Sequence, residues 1–216
     1  MSNQTAPQMV DPHSPQRHRR LVILSVLGTA IPVTLLTGCS PEPVSFKSTD
    51  VTDAEFARKY EIPDHLGKTR TLDDFKGKIV VMFFGFTQCP DVCPTSMATL
   101  SEVKQLLGPQ GDKLQVLFVT VDPERDTPDV LKAYMGNFDA SFLALRPDSQ
   151  EQLVGLAKEF KIYYKKVDGR TATSYTMDHS AGTYIFDTAG RVRLFSQYGS
   201  EAKVIAADIE TLLKNQ

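Results

Sequence analysis

The stretch "KIVVMFFGFTQCPDVCPTSM", Lys78 to Met97, decides the fold. It opens as a continuous apolar run ending at Phe86, the pattern of a strand buried on both faces. Two cysteines then follow, Cys89 and Cys93, each with a proline after it. Beyond them Met97, Leu100, Val103, Leu106 and Leu107 share one helical face, which predicts a helix from about Thr95 to Leu107. The whole chain has only 3 cysteines, so two of them in one small loop call for a chemical reason. A staple, a redox switch and a metal clamp are the candidates.

Working outward, strands and helices alternate. "LQVLFVTV" (Leu114 to Val121) is a second buried strand. "DTPDVLKAYMGNF" opens a helix: Thr127 can cap it, Pro128 suits the first helical position and Asp129 suits the positive end of the dipole. "FLALR" reads as a short strand, "SQEQLVGLAKEF" as a helix, and "GTYIFDTAGRVRLFSQYG" as two strands joined by the turn "DTAG". "EAKVIAADIETLLKN" closes the chain as a helix. Ahead of all these, "PDHLGK" is a turn signal inside residues 58–72, which predicts a hairpin. The order predicts an α/β domain with a mostly parallel central sheet, to which the final hairpin adds an antiparallel piece: a thioredoxin-like fold with an N-terminal hairpin extension and an insertion. Ligand sites in such sheets form beyond the carboxyl ends of strands, where Cys89, Cys93 and Asp122 fall.

The chain has 216 residues, 24 basic and 26 acidic, for a net charge of −2. No Lys/Arg run marks a nucleic-acid partner, and that class is set aside. The N-terminus is different in kind. Basic "RHRR" (Arg17 to Arg20) precedes the uncharged "LVILSVLGTAIPVTLLTGCS", an export signal. Its end, "LLTGC", resembles a bacterial lipobox, in which Cys39 is lipidated and becomes the new N-terminus. The alternative is an uncleaved membrane anchor, although the run is close to the minimum for a spanning helix and Pro32 interrupts it. Either way the domain is expected to be membrane-tethered and outside the cytoplasm. Residues 1–38 are thus expected to be signal or anchor, 39–55 a linker and 56–216 the folded domain.

A bridge between Cys89 and Cys93 closes so short a loop that chain entropy yields only about 2 kcal/mol. Stabilisation alone is a poor reason for the pair. Pro94 is expected to keep Cys93 out of the following helix. That helix, aiming its N-terminus at the sulfurs, is expected to favour thiolates for redox exchange or metal binding. Dithiol reductases of this fold carry C-x-x-C and a proline before a late strand. Here the spacing is C-x-x-x-C, and "YTMDHSA" puts His179 before that strand. Of the 4 histidines, His13 and His18 precede the apolar run and His65 sits in a surface turn. Two thiolates and one imidazole make a soft set that suits copper, Cu(I) especially, while zinc stays chemically open.

"GFTQCPDVCPTSM", "VTVDPERDTPDVLKAY" and "YTMDHSAGTYIFDTAGRVR", in this order and spacing, resemble the Sco/SenC family over nearly all of residues 46–216. The resemblance implies a thioredoxin-like, membrane-tethered domain in the bacterial envelope facing the periplasm, whose Cys89, Cys93 and His179 bind one copper ion per chain. It implies a metallochaperone for the dinuclear copper site of cytochrome c oxidase subunit II, with other copper chaperones as further partners. The alternative is a thiol-disulfide oxidoreductase that keeps the acceptor's cysteines reduced; a peroxidase or redox sensor using Cys89 is a weaker third. Many family members have histidine where this chain has Gln88. In "DPERDTP", Asp122 and Arg125 are expected to pair, with a structural role first and a docking role for Asp122 second.

Overall fold

The structure, a computed structural model, describes residues 44–171 and 174–215. The expected signal or anchor segment and the lipidation candidate Cys39 lie outside them. Among the described residues no helix is long and apolar enough to cross a membrane.

Strand β1 (Thr49–Asp50) comes first, then β2 (Ile62–Pro63) and β3 (Thr69–Arg70), then β4 (Ile79–Gly85) and helix α1 (Val92–Leu106). Strand β5 (Leu114–Thr120), helix α2 (Pro128–Met135), β6 (Leu143–Leu145) and α3 (Gln150–Glu159) follow. Strands β7 (Tyr164–Asp168), β8 (Tyr175–His179), β9 (Thr183–Phe186) and β10 (Val192–Ser196) precede α4 (Ala202–Lys214). Six strands form the main sheet in the order β1-β10-β9-β4-β5-β6. Strands β4, β5 and β6 are parallel, and β9, β10 and β1 add an antiparallel half.

Every residue of β4 and β5 is buried, as their unbroken apolar runs require of central strands covered on both faces. Seven phenylalanines, at 83, 84, 86, 118, 142, 160 and 186, are no more than 2% exposed. Each is worth about 1.5–3 kcal/mol of burial. Helix α2 begins as its sequence dictates: Thr127 Oγ1 accepts the Val130 N–H, Pro128 is the first helical residue and Asp129 lies in the first turn. The N-terminal hairpin pairs Ile62 with Arg70 and Pro63 with Thr69. Its turn is shaped by Asp64, whose carboxylate accepts from the Leu66 and Lys68 N–H groups and from Arg70 Nε.

Several boundaries move. Helix α1 begins at Val92 rather than Thr95, and Leu106, expected on the buried face, is 49% exposed. Part of the stretch read as linker belongs to the folded unit. The Lys47 and Ser48 N–H groups each donate at 2.8 Å to the buried Asp208 carboxylate on α4, and Thr49–Asp50 then pair with β10. An antiparallel ribbon, β7–β8, lies between α3 and β9 and joins no other strand. It is the insertion, and its residues are mostly exposed or half-buried.

Candidate metal centre

The chain leaves β4 at Gly85 and turns at once. The Cys89 N–H donates to the Phe86 carbonyl at 3.2 Å. Cys93 already lies in the first turn of α1, so the expectation that Pro94 holds it outside the helix is corrected. Pro94 is the third helical residue, and N–H groups there have no partner within the helix, so the missing donor costs nothing. The Cys93 N–H instead points at Cys89 Sγ, 3.4 Å away. Cys93 is buried, Cys89 is half-buried, and both thiols are free. Gly85 makes room for them. A Cβ there would sit 2.8 Å from Cys93 Sγ and 2.8 Å from Phe83, distances that side chains do not tolerate.

His179 ends β8. Its ring stands edge-on to Phe83 and Phe86, with centroids 6.2 and 5.7 Å apart, which fixes its plane. Nδ1 lies 2.9 Å from the Ser180 carbonyl. A carbonyl only accepts, so the proton is assigned to Nδ1 and Nε2 keeps its lone pair. Nε2 faces Cys93 Sγ at 3.4 Å. Cys89 Sγ, Cys93 Sγ and a His179 ring nitrogen lie within 4.8 Å of one another. Metal–sulfur bonds of about 2.3 Å and metal–nitrogen bonds of about 2.0 Å hold ligand atoms up to about 4.6 Å apart, so small movements suffice for one ion to touch all three. The donor set of two thiols and a neutral imidazole fits a soft or borderline metal.

Burial pushes the Cys93 thiol well above the usual range. At Cys93 the expected thiolate-favouring effect of the helix end is therefore outweighed by desolvation. Burial also lowers His179, against the Ser180 carbonyl and Asp178, which pull the other way. A neutral ring with a free Nε2 is the state that ligates metal.

The loop between β5 and α2 braces the site. Asp126 is fully buried and accepts from the Thr87 N–H at 3.1 Å, the Thr87 hydroxyl, and the Thr120 hydroxyl at 2.6 Å. Burial raises its carboxyl against these hydrogen bonds. Asp122 pairs with Arg125, as the sequence suggests, and accepts the Tyr175 hydroxyl at 2.9 Å. Desolvation and then Asp122 push the Tyr175 phenol up to about 12. Arg125 also donates to Gln88 Oε1 at 3.1 Å and to the Tyr175 carbonyl at 2.9 Å. Gln88 thus supplies an acceptor to the brace.

His65 lies far along the chain from this cluster in role: its Nδ1 accepts the Ala144 N–H of β6. His13 and His18 are outside the described residues. Sequence reading missed Gly85, Asp126 and the reach of Arg125. The run of charges in "DPERD" beside a buried strand was the available signal for the last two. The site opens on a shallow cleft of about 360 Å³, lined by Phe86, Cys89, Pro90, Val92, Tyr163 and His179 among others.

Comparison with known proteins gives concordant results. The model of the family described as SCO1/SenC matches residues 48–214. A SCO2-like protein of Rickettsia felis is 34% identical over 174 residues, covering 79% of this chain and 84% of that protein. Bradyrhizobium japonicum ScoI, solved with copper bound, is 37% identical at a TM-score of 0.66, covering 72% of this chain and 98% of that one. Yeast Sco1, also solved with copper bound, is 28% identical at a TM-score of 0.67, covering 74% and 90%.

Proposed function

Because the chain belongs to the SCO1/SenC family, we propose that it carries one copper ion on Cys89 Sγ, Cys93 Sγ and His179 Nε2. It delivers that ion to the dinuclear copper site of cytochrome c oxidase subunit II, with other copper chaperones as donors. The observation that carries this reading is the convergence of three soft donor atoms within 4.8 Å, drawn from a loop, a helix and a separate ribbon. The copper-bound relatives support the choice of metal.

The chain's own residues divide the work. Cys93, buried in α1, is the fixed donor, and Cys89, half-buried at the cleft, is the one an acceptor meets first. His179 offers Nε2 because Ser180 holds the proton on Nδ1. Three protein donors leave a position for an acceptor's ligand to enter before any of them departs. Each thiol gives up its proton as it ligates. Anchoring belongs to the same reading: lipid on Cys39 tethers the domain on the periplasmic side of a bacterial membrane, with residues 1–38 removed.

One observation favours a second reading. Cys89 and Cys93 are both free thiols on one turn, with the Cys93 N–H 3.4 Å from Cys89 Sγ, a pairing that does not involve His179. As a thiol-disulfide oxidoreductase, the Cys89–Cys93 dithiol would be oxidised to a disulfide. Two electrons and two protons would pass to an acceptor disulfide, leaving two thiols there. His179→Ala separates the two. It should weaken Cu(II) binding strongly, retain some Cu(I), leave the dithiol able to cycle, and abolish copper loading of the oxidase in cells. Normal oxidase assembly with His179→Ala but not with Cys93→Ser would put the oxidoreductase first.

A further inference from the structure

We propose that Arg125 is a positioning residue, clamped between Asp122 and Tyr175, that sets where His179 stands relative to the two sulfurs. This deepens the copper reading and rests on it.

The two halves of the site have different foundations. Cys89 and Cys93 follow β4, a central strand of the main sheet that is buried at every residue. His179 sits on a two-stranded ribbon that pairs with nothing else, and such a ribbon alone is marginally stable in water. Its place must come from contacts with the body. The bonds near His179, from Ser180 N–H to the Tyr163 carbonyl and from Tyr163 N–H to Ser180 Oγ, stay within the ribbon segment and dock nothing. Gln150 to the Tyr164 hydroxyl and Lys166 to Glu124 reach outward, but both are exposed. Exposed ion pairs contribute little.

Arg125 is of another kind. Its side chain is 19% exposed, against 4% for Asp122, and Nε is spent on that carboxylate. Nη1 donates both to Gln88, the residue before Cys89, and to the main-chain carbonyl of Tyr175, the first residue of β8. The guanidinium carbon lies 3.6 Å from the centre of the Tyr175 ring and 5.8 Å from that of Phe86, the ring that also packs on His179. Tyr175 closes the circuit by donating its hydroxyl to Asp122. One planar cation therefore touches the cysteine loop and the strand that ends in His179. Nη2 is buried with no partner, a cost that a merely decorative surface arginine would not carry. Lysine cannot reproduce a fork that serves three acceptors while stacking on a ring.

The test uses the full-length protein carrying Arg125→Lys, alone and with His179→Ala. In the metal-free protein, amide exchange of residues 175–179 should quicken about tenfold while β4 and β5 stay unchanged. With copper, Cu(II) affinity should fall about 10- to 100-fold and the Cu(II) spectrum should lose nitrogen character. Cu(I), already satisfied by two thiolates, should change far less. On the His179→Ala background, Arg125→Lys should add no further loss of Cu(II) affinity, because both changes remove the same ligand. Wild-type exchange in residues 175–179 would overturn the clamp, and so would an equal fall for both oxidation states or full additivity with His179→Ala. A wild-type protein that takes up no copper overturns the copper reading instead, and the amide measurement still judges the clamp. Should Arg125→Lys not fold, Tyr175→Phe removes one hydrogen bond and no charge, and carries the same test at smaller amplitude.

Discussion

Gly85 stands where the last residue of a buried strand meets a sulfur, and its lack of a side chain is a packing requirement of the site. Gly85→Ala would press a methyl against Cys93 Sγ, Phe83 and Phe118, the last at 3.0 Å. All three neighbours are buried, so none can simply swing away. The variant should lose about 1–3 kcal/mol of stability, as overpacked cores do, and hold copper less tightly; urea unfolding and copper retention after dialysis measure the two. Asp126 is the polar counterpart. Asp126→Ala would strand the hydroxyl of the fully buried Thr120 and, at the half-buried Thr87, both an N–H and a hydroxyl. At about 1–3 kcal/mol for each unsatisfied group before relaxation, it should destabilise the domain more than Gly85→Ala does. Equal or smaller loss in the same urea series would mean that water reaches these donors. Neither residue can be picked from sequence, because a glycine's neighbours and an aspartate's partners are long-range facts. Cys89, Cys93 and His179 can be, because each is rare in this chain and lies beside a strand end.

At the scale of elements, legibility follows burial. Strands β4 and β5 announce themselves as apolar runs because both of their faces are covered. The ribbon β7–β8, "YKKVD" and "YTMDH", is harder to read, because "YKKVD" shows no apolar alternation and the alternation of Tyr175, Met177 and His179 in "YTMDH" spans only five residues. The start of α1 is misplaced for a different reason. A proline's effect on the residue before it is a tendency, and at the third helical position the helix overrides it. The same contrast predicts dynamics. Amides of β7 and β8 should exchange faster than those of β4 and β5, since each ribbon strand has only the other as a sheet neighbour and Met177 is the one buried residue of the pair. Copper should slow the ribbon selectively, by giving His179 a bond across to α1. Exchange measured with and without metal checks both; equal protection in ribbon and sheet would sink the first.

For the whole molecule, redox state and cargo compete. A disulfide needs the two sulfurs about 2.05 Å apart, and a shared metal needs each as a separate thiolate. The reduced protein should retain about one copper per chain after dialysis and the oxidised protein far less, with metal analysis as the readout. Equal retention would mean that the thiols are not the clamp. Cys39→Ser should block maturation and leave a longer protein, seen by intact mass; identical masses that include residues 1–38 in wild type and variant would favour an uncleaved anchor. Where the chain enters the domain also decides how it bears load. Tension on residues ahead of Lys47 passes first into α4 through the two N–H groups that donate to the Asp208 carboxylate, then shears β1 along β10. To reach the cysteine loop through the sheet it must still cross β9 and β4. A pull applied ahead of Lys47 would therefore reach the three donors by the shorter route, through the packing of α4 on α1, the helix that carries Cys93.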